Sequence, residues 1–241
     1  MASGLDQSSV LAMIEPRGFG IVEDILDAAE VSVLVEAVED AGRRAGIRRR
    51  GGLWAIRNLL ELVPEVAELA RSGAVRGLAE QVLGTGCYAV RGILFDKTPE
   101  TNWKVAWHQD LTIAVRERRE VDGFGPWSEK AGVVSVQPTV SVLENMVTIR
   151  IHLDSCGPDN GPVRVLPGSH ESRRLSPAQI EDWCRRVPAV LTIAPAGSAL
   201  VMRPLLLHAS SRATKPAHRR VIHLDYAGAE LPGELEWNTR V

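Results

Sequence analysis

Cysteine is scarce in this chain. The three present, Cys87, Cys156 and Cys184, are odd in number and form no CxxC pair, which argues against a disulfide framework or a zinc knuckle. A charge excess is missing as well. Against 28 basic residues stand 30 acidic ones, a formal charge of −2, so nothing marks a binder of nucleic acid or of a membrane surface. The short runs Arg48-Arg49-Arg50 and Arg116 to Glu120 read as solvated loops. No uninterrupted apolar run reaches membrane-spanning length, and no basic-then-apolar signal segment opens the sequence. The expectation is a soluble protein of a reducing cytoplasm. Oligomeric state is not legible at this level.

What is present is a chain of 241 residues, 45% hydrophobic, enough for one substantial domain. Residues 1–17 carry no structural signal and read as a loose arm. GFGIVEDIL (18–26) predicts a short strand, and Asp27 with Glu30 three residues later forms a capping-box pattern. Val31, Leu34, Val35 and Val38 then recur at helical spacing, with Gly42 and Gly46 expected to end the helix. A second helical region starts at Pro64, breaks near Gly73 and runs to about Leu83. The GTG at 84–86 follows a helix and precedes a strand, the wrong context for a dinucleotide site. From residue 87 the character changes. Segments 87–97, 105–115, 146–154, 161–168, 189–197, 199–210 and 220–228 are rich in Val, Ile and Leu and separated by turn residues, so all predict strands; 177–186 predicts a helix. Helices at 18–86 followed by a β core at 87–228 give an α+β domain spanning 18–241, with a sandwich or barrel as its working part.

Within that core, WKVAWHQDLTI (103–113) sets two titratable residues in an apolar run. In a strand, side chains at i and i+2 leave one face, so His108 and Asp110 would point into one space. Two metal ligands need that arrangement, although a hydrogen-bonded His–Asp pair would share the spacing. His208, in LLLHASS, offers a third ligand from a different strand. Two histidines and a carboxylate on one face of an octahedron are the facial triad of non-haem iron oxygenases. Arg219, eleven residues after His208, can grip a carboxylate in a bidentate fashion, and Ser210 can add a hydroxyl.

WHQD, then NGPVRVLPGSH at 160–170, then H-x-S with Arg eleven residues after the His, together closely resemble the phytanoyl-CoA dioxygenase family over roughly residues 18–228. The resemblance implies a double-stranded β-helix (a jelly-roll or cupin-like barrel) with the N-terminal helices packed on one sheet. It further implies the use of Fe(II), 2-oxoglutarate and O₂. On that pattern His108, Asp110 and His208 bind the iron, and Arg219 and Ser210 hold the far carboxylate of 2-oxoglutarate. Arg220 alternates to the other face of its strand. Gln109, between the ligands, is expected either beside the cofactor or behind the ligands, and His170 at a turn or behind the ligands rather than on the metal. The implied reaction converts 2-oxoglutarate to succinate and CO₂ while hydroxylating an unactivated C–H bond of a small molecule. Retention of Asp110 favours hydroxylation over halogenation, in which a small residue frees a site for halide. Desaturation, epimerisation or cyclisation would use the same triad. A cupin-like binding protein without turnover and a zinc hydrolase are the rivals from other classes.

Lys104, Arg150, Phe124 and Trp127 are the candidate substrate residues. Lys104 shares the nominal face of His108, and Arg150 alternates with Thr148 and His152 along MVTIRIHLD. Phe124 and Trp127 belong to 116–141, a segment long for a hairpin connection and the candidate lid. His218 and His223 read as ordinary surface and wall residues.

Overall fold

A computed structural model describes residues 8–44, 54–130 and 132–241. In chain order it contains α1 (Ser8–Arg17), β1 (Phe19–Val22), α2 (Ala28–Arg44), β2 (Trp54–Ile56), α3 (Leu59–Leu62), α4 (Pro64–Arg71), α5 (Gly73–Leu83), β3 (Tyr88–Lys97), β4 (Val105–His108) and β5 (Ile113–Val115). There follow β6 (Trp127–Lys130), β7 (Val133–Val136), α6 (Val140–Glu144), β8 (Met146–His152), β9 (Val163–Val165), α7 (Pro177–Arg186), β10 (Val190–Leu191), β11 (Ala199–Met202), β12 (His208–Ser210) and β13 (Arg219–Ala227).

The helix starts follow local chemistry. Asp27 Oδ1 accepts from the backbone N–H groups of Ala29 and Glu30, while Glu30 returns a carboxylate oxygen to the Asp27 N–H at 2.8 Å. Ser176 and Gln179 form the same reciprocal cap on α7. Gly42 lies inside α2, which continues to Arg44, and Gly46 falls outside the described residues.

The strands form antiparallel sheets. A six-stranded sheet runs β1-β11-β8-β13-β3-β2, a four-stranded sheet β10-β9-β12-β4, and a three-stranded sheet β5-β7-β6. Alternation along the six-stranded sheet separates two interiors. Val147, Ile149 and Ile151 of β8 and Ile222, Leu224 and Tyr226 of β13 pack with Val10, Ile14, Leu34, Val38, Val66 and Leu78 of the helices. On the opposite face, Leu200 and Met202 of β11 and Phe19 of β1 meet Val163 and Val165 of β9, so the large and the four-stranded sheets face one another. This is the arrangement of a double-stranded β-helix with helices laid on the outside of one sheet.

Three expectations need correction. Residues 8–17 are a helix, not a loose arm: Val10 and Ile14 are fully buried in the helical core. The apolar runs 105–115 and 199–210 are each two strands in different sheets, split at 109–112 and 203–207. Segment 116–141 is not an open loop either. β6 and β7 build a sheet with β5, Phe124 is buried beside Ile113, Val115 and Trp237, and Trp127 packs on the same cluster.

Candidate metal centre

His108 ends β4 and His208 opens β12, and the two are direct partners across the antiparallel ladder. Their rings lie 4.1 Å apart, centroid to centroid. Asp110 reaches them from outside the strand: β4 stops at His108, and the Asp110 N–H donates to the Pro204 carbonyl at 2.9 Å. Convergence of His108 and Asp110 therefore comes from a strand end and the turn after it, not from the pleat of one continuous strand as the spacing predicts. Gln109 makes that turn rigid. Its amide nitrogen donates to the carbonyls of Arg173 (2.6 Å) and Leu205 (2.7 Å), and its oxygen accepts from the Leu175 N–H (2.8 Å). With its hydrogen bonds spent on three backbone groups of two segments, Gln109 does not line the cavity. Of its two expected places, beside the cofactor or behind the ligands, it takes the second, and the cofactor-side placement is corrected.

The histidines are oriented alike. Each Nδ1–H donates to the carbonyl two residues earlier, Ala106 for His108 and Leu206 for His208, both at 2.9 Å. That fixes the tautomer and leaves both Nε2 lone pairs toward Asp110. His108 Nε2 lies 3.8 Å from Asp110 Oδ1, and His208 Nε2 lies 3.6 Å from Oδ2. These separations are too long for hydrogen bonds, and Oδ2 is buried with no hydrogen-bond partner among the described residues. Neighbouring positions of an octahedral ion with bonds of ~2.1 Å stand about 3 Å apart, so a shared cation fits this cluster better than direct pairing does. The three ligand atoms all lie within 4.8 Å of one another. Burial, opposed by Asp110, pushes His208 down to about 4, which leaves it neutral near pH 7 as ligation requires. Burial would raise Asp110, but the imidazoles of His208, His223 and His108 hold it below the ordinary carboxylate range.

The cavity holding these residues is walled by both facing sheets. Arg219, Arg150, His223 and Phe95 come from the large sheet; Ser210 and Val163 come from the small one. Arg219 is 3% exposed and donates to the Gly161 carbonyl, while its Nε has no partner among the described residues. Arg220, on the other face of β13, pairs with Asp154 at 2.7 Å and with Glu39. The predicted register is right at this point. Arg150 is buried, and burial together with Arg219 lowers it to about 10.

His223 is corrected from wall residue to cavity residue. Arg150 Nη1–H donates to its Nδ1 at 2.9 Å, so its N–H stands at Nε2 and donates to Asp225 at 3.0 Å. Asp225 also receives Thr148 (2.7 Å) and Arg91 (2.6 Å). Against the upward push of burial, Arg91 and His223 drive its carboxyl far below the ordinary range. Sequence reading missed Asp225, Arg91 and Phe95. The alternation Arg219, Val221, His223, Asp225 along β13 was the available signal.

The other candidates lie elsewhere. Lys104 is exposed ahead of β4, and neither it nor Phe124 or Trp127 lines the cavity. His170 contacts the Glu15 carbonyl at 3.2 Å, away from the triad, as expected.

A family model described as phytanoyl-CoA dioxygenase (PhyH) matches residues 14–221. L-proline trans-4-hydroxylase of Streptomyces griseoviridis is 27% identical over 186 residues, covering 66% of this chain and 62% of that protein. Ectoine dioxygenase of Nocardia farcinica is 25% identical over 174 residues, covering 68% of this chain and 51% of that protein. This chain thus aligns with less than two thirds of either relative. The crystal structure of a non-heme alpha ketoglutarate dependent carbocyclase from nogalamycin biosynthesis superposes with a TM-score of 0.73 at 18% identity, covering 94% of this chain and 85% of that one. At that identity the likeness concerns the fold.

Proposed function

The chain belongs to the phytanoyl-CoA dioxygenase family, and from that premise we propose that it is an Fe(II)- and 2-oxoglutarate-dependent dioxygenase that hydroxylates an unactivated C–H bond of a small molecule. The observation that carries the proposal is the pair of Nε2 lone pairs aimed at the unpartnered Asp110 oxygen, in a cavity that also presents Arg219 and Ser210. His108, Asp110 and His208 are the ligand set. Iron bound there supplies the oxidative chemistry, in which 2-oxoglutarate and O₂ give succinate, CO₂ and one oxygen for the substrate.

The chain's own residues do the positioning. Arg219, buried with no carboxylate in a salt bridge to it among the described residues, offers its guanidinium to the far carboxylate of 2-oxoglutarate, and Ser210 offers a hydroxyl in the same cavity. Arg150, held by His223 and Asp225, is a second fixed cation in the same cavity and suits an acidic group of the substrate. The curated relatives are named for L-proline and ectoine, both small molecules, and that class of substrate is proposed for this chain. The phytanoyl-CoA of the family's name is not: the sequence carries no acyl-CoA-binding signature. Asp110 occupies the position that halide chemistry would need empty, which favours hydroxylation. Arg219 and Ser210 would have no task in a zinc hydrolase.

Succinate formation from 2-oxoglutarate in the presence of ferrous iron and O₂ tests the cofactor assignment without a known substrate. A metabolite screen by mass spectrometry for the gain of one oxygen then tests the outcome. Absence of succinate from iron-loaded protein across that screen would return the chain to the binding-protein reading.

A further inference from the structure

Register orders the cavity face of the large sheet into rows. Arg219 begins β13 at one end, His223 lies between Arg150 and Ile93 in the middle, and Asp225 stands across from Arg91 at the other end. Arg219 and Asp225 are about 20 Å apart along the strand. 2-Oxoglutarate is assigned to the Arg219 end, and the Arg91 end is left over. There, Arg91 Nε–H donates to Asp225 at 2.6 Å and Nη1–H to the Thr112 carbonyl at 3.1 Å, which leaves Nη2 without a partner among the described residues. Beside it, the edge strand β2 stops at Ile56, opposite Leu94, and Arg57 follows at once. Arg57 and Arg91 line one cleft between that sheet edge and the three-stranded sheet, together with Asn58, Ser135, Asn238 and Thr239. Arg57 is half-buried, and no carboxylate among the described residues pairs with it. Burial, then Arg91, lower its guanidinium from the ordinary value. Asn58, left-handed at φ 58°, makes no side-chain cap to α3. Glu61 is spent on Thr239 at 2.5 Å and on Asn238 at 3.3 Å. An uncompensated cation beside a second cation is costly unless an anion joins them.

We propose that this cleft is an oxyanion site for the substrate, in which Arg57, with Arg91 and Asn58, receives a carboxylate at the end remote from the iron, separate from any acid held at Arg150. The inference rests on the enzyme reading above and narrows its substrate class to carboxylic acids. Arg57 supplies the free guanidinium fork, which matches a carboxylate in a bidentate fashion. Arg91 cannot swing away, because Asp225 and the Thr112 carbonyl hold it on the sheet, and its Nη2 is the donor that remains. Thr112 lies two residues after Asp110, about 7 Å of extended chain, so a small molecule can reach from the cleft to the triad. Substrate acid and cosubstrate acid then enter from opposite ends of one sheet face, and the two cations that receive them do not compete for one anion.

The test uses the whole protein loaded with Zn(II), which has no redox chemistry, and saturated with 2-oxoglutarate so that Arg219 is occupied. Sulfate is then titrated in as a bare oxyanion while the Nε–H resonances of Arg57 and Arg91 are followed by NMR. Both should shift together and saturably, and in Arg57→Gln the Arg91 resonance should stay still. In the iron-loaded enzyme, the substrate found by the mass-spectrometric screen should be a carboxylic acid. Arg57→Gln should raise its KM roughly 10- to 100-fold while the KM for 2-oxoglutarate keeps its value. The methyl ester of that acid should lose as much with wild type, a comparison that needs no variant to fold. No saturable shift at Arg57, a substrate without a carboxylate, or sulfate binding with an unchanged substrate KM each overturns the role of the cleft. Failure of wild type to bind 2-oxoglutarate would instead overturn the enzyme reading, and the sulfate titration would still report on Arg57.

Discussion

Ile222, Leu224 and Tyr226 leave β13 toward the helical layer, while Arg219, Val221, His223 and Asp225, alternating with them, leave it toward the cavity. Both faces are buried, and they are stabilised by different means. The helix face is apolar apart from Arg220 at its start, which pairs with Asp154 and Glu39, and the Tyr226 hydroxyl, which donates to the Ala70 carbonyl at 2.8 Å. The cavity face sorts into groups with partners and groups without. Asp225 has Arg91, Thr148 and His223. Arg219 Nε, Arg150 Nε and one oxygen of Asp110 have none among the described residues. A ligand held in the cavity would supply partners to these three groups, so on this sheet the helix face serves stability and the cavity face has capacity left for binding.

The sharpest way to break that contrast is Asp110→Ala. Loss of one of three ligands should abolish product formation and weaken metal binding by at least ~100-fold, while the thermal midpoint of the metal-free protein barely moves. Wild-type activity in this variant would remove the triad. Next, Arg219→Ala should raise the Michaelis constant for 2-oxoglutarate by the equivalent of ~2–5 kcal/mol, with Arg220→Ala leaving that constant alone because its partners are Asp154 and Glu39. An exchange of the two results would mean a register error of one residue. On the other face, Ile149→Ala should cost roughly 2–5 kcal/mol of stability in a urea melt and leave the Kd for 2-oxoglutarate unchanged; a shift in Kd would show that the two faces are coupled.

A pH-dependent prediction belongs to His152, 2% exposed on the cavity face with neither ring nitrogen partnered among the described residues. Burial, Arg150 and Arg219 push it from 6.5 down to about 3. The unfolded chain protonates first as pH falls, so this residue favours the folded state fully above 6.5, and that contribution drains away toward about 3. The wild-type melting temperature should therefore fall through this window more steeply than that of His152→Leu. Parallel curves would assign the acid lability to other groups.

Much of this contrast was legible in the sequence. Alternation along 146–154 and 220–228 separated the two faces, and the offset from His208 to Arg219 survived intact because β13 begins at Arg219 without a break. Less legible were places where backbone partners distant in sequence decide the outcome. An apolar run such as 105–115 looks the same whether or not it is interrupted, and here Gln109 interrupts it by bonding residues near 173 and 205. Phe124 and Trp127 look as free to cover a substrate as to fill a core until β7 is seen between β5 and β6. α1 was missed because its pattern is weak: Pro16 lies within it, and its burial depends on neighbours far along the chain.

Gln109 also bears on when the site comes into being. Its two amide donors close spans of 64 and 96 residues, and His108 meets His208 only once β12 has joined β4. Such long closures form late and slowly, so a growing chain emerging from the ribosome holds no assembled triad until its final strands are made. Iron acquisition is then a step that follows folding. Any metal that binds the finished triad and not the unfolded chain raises the melting temperature with the logarithm of its free concentration above Kd, which makes the protein's own thermal midpoint a gauge of the metal around it.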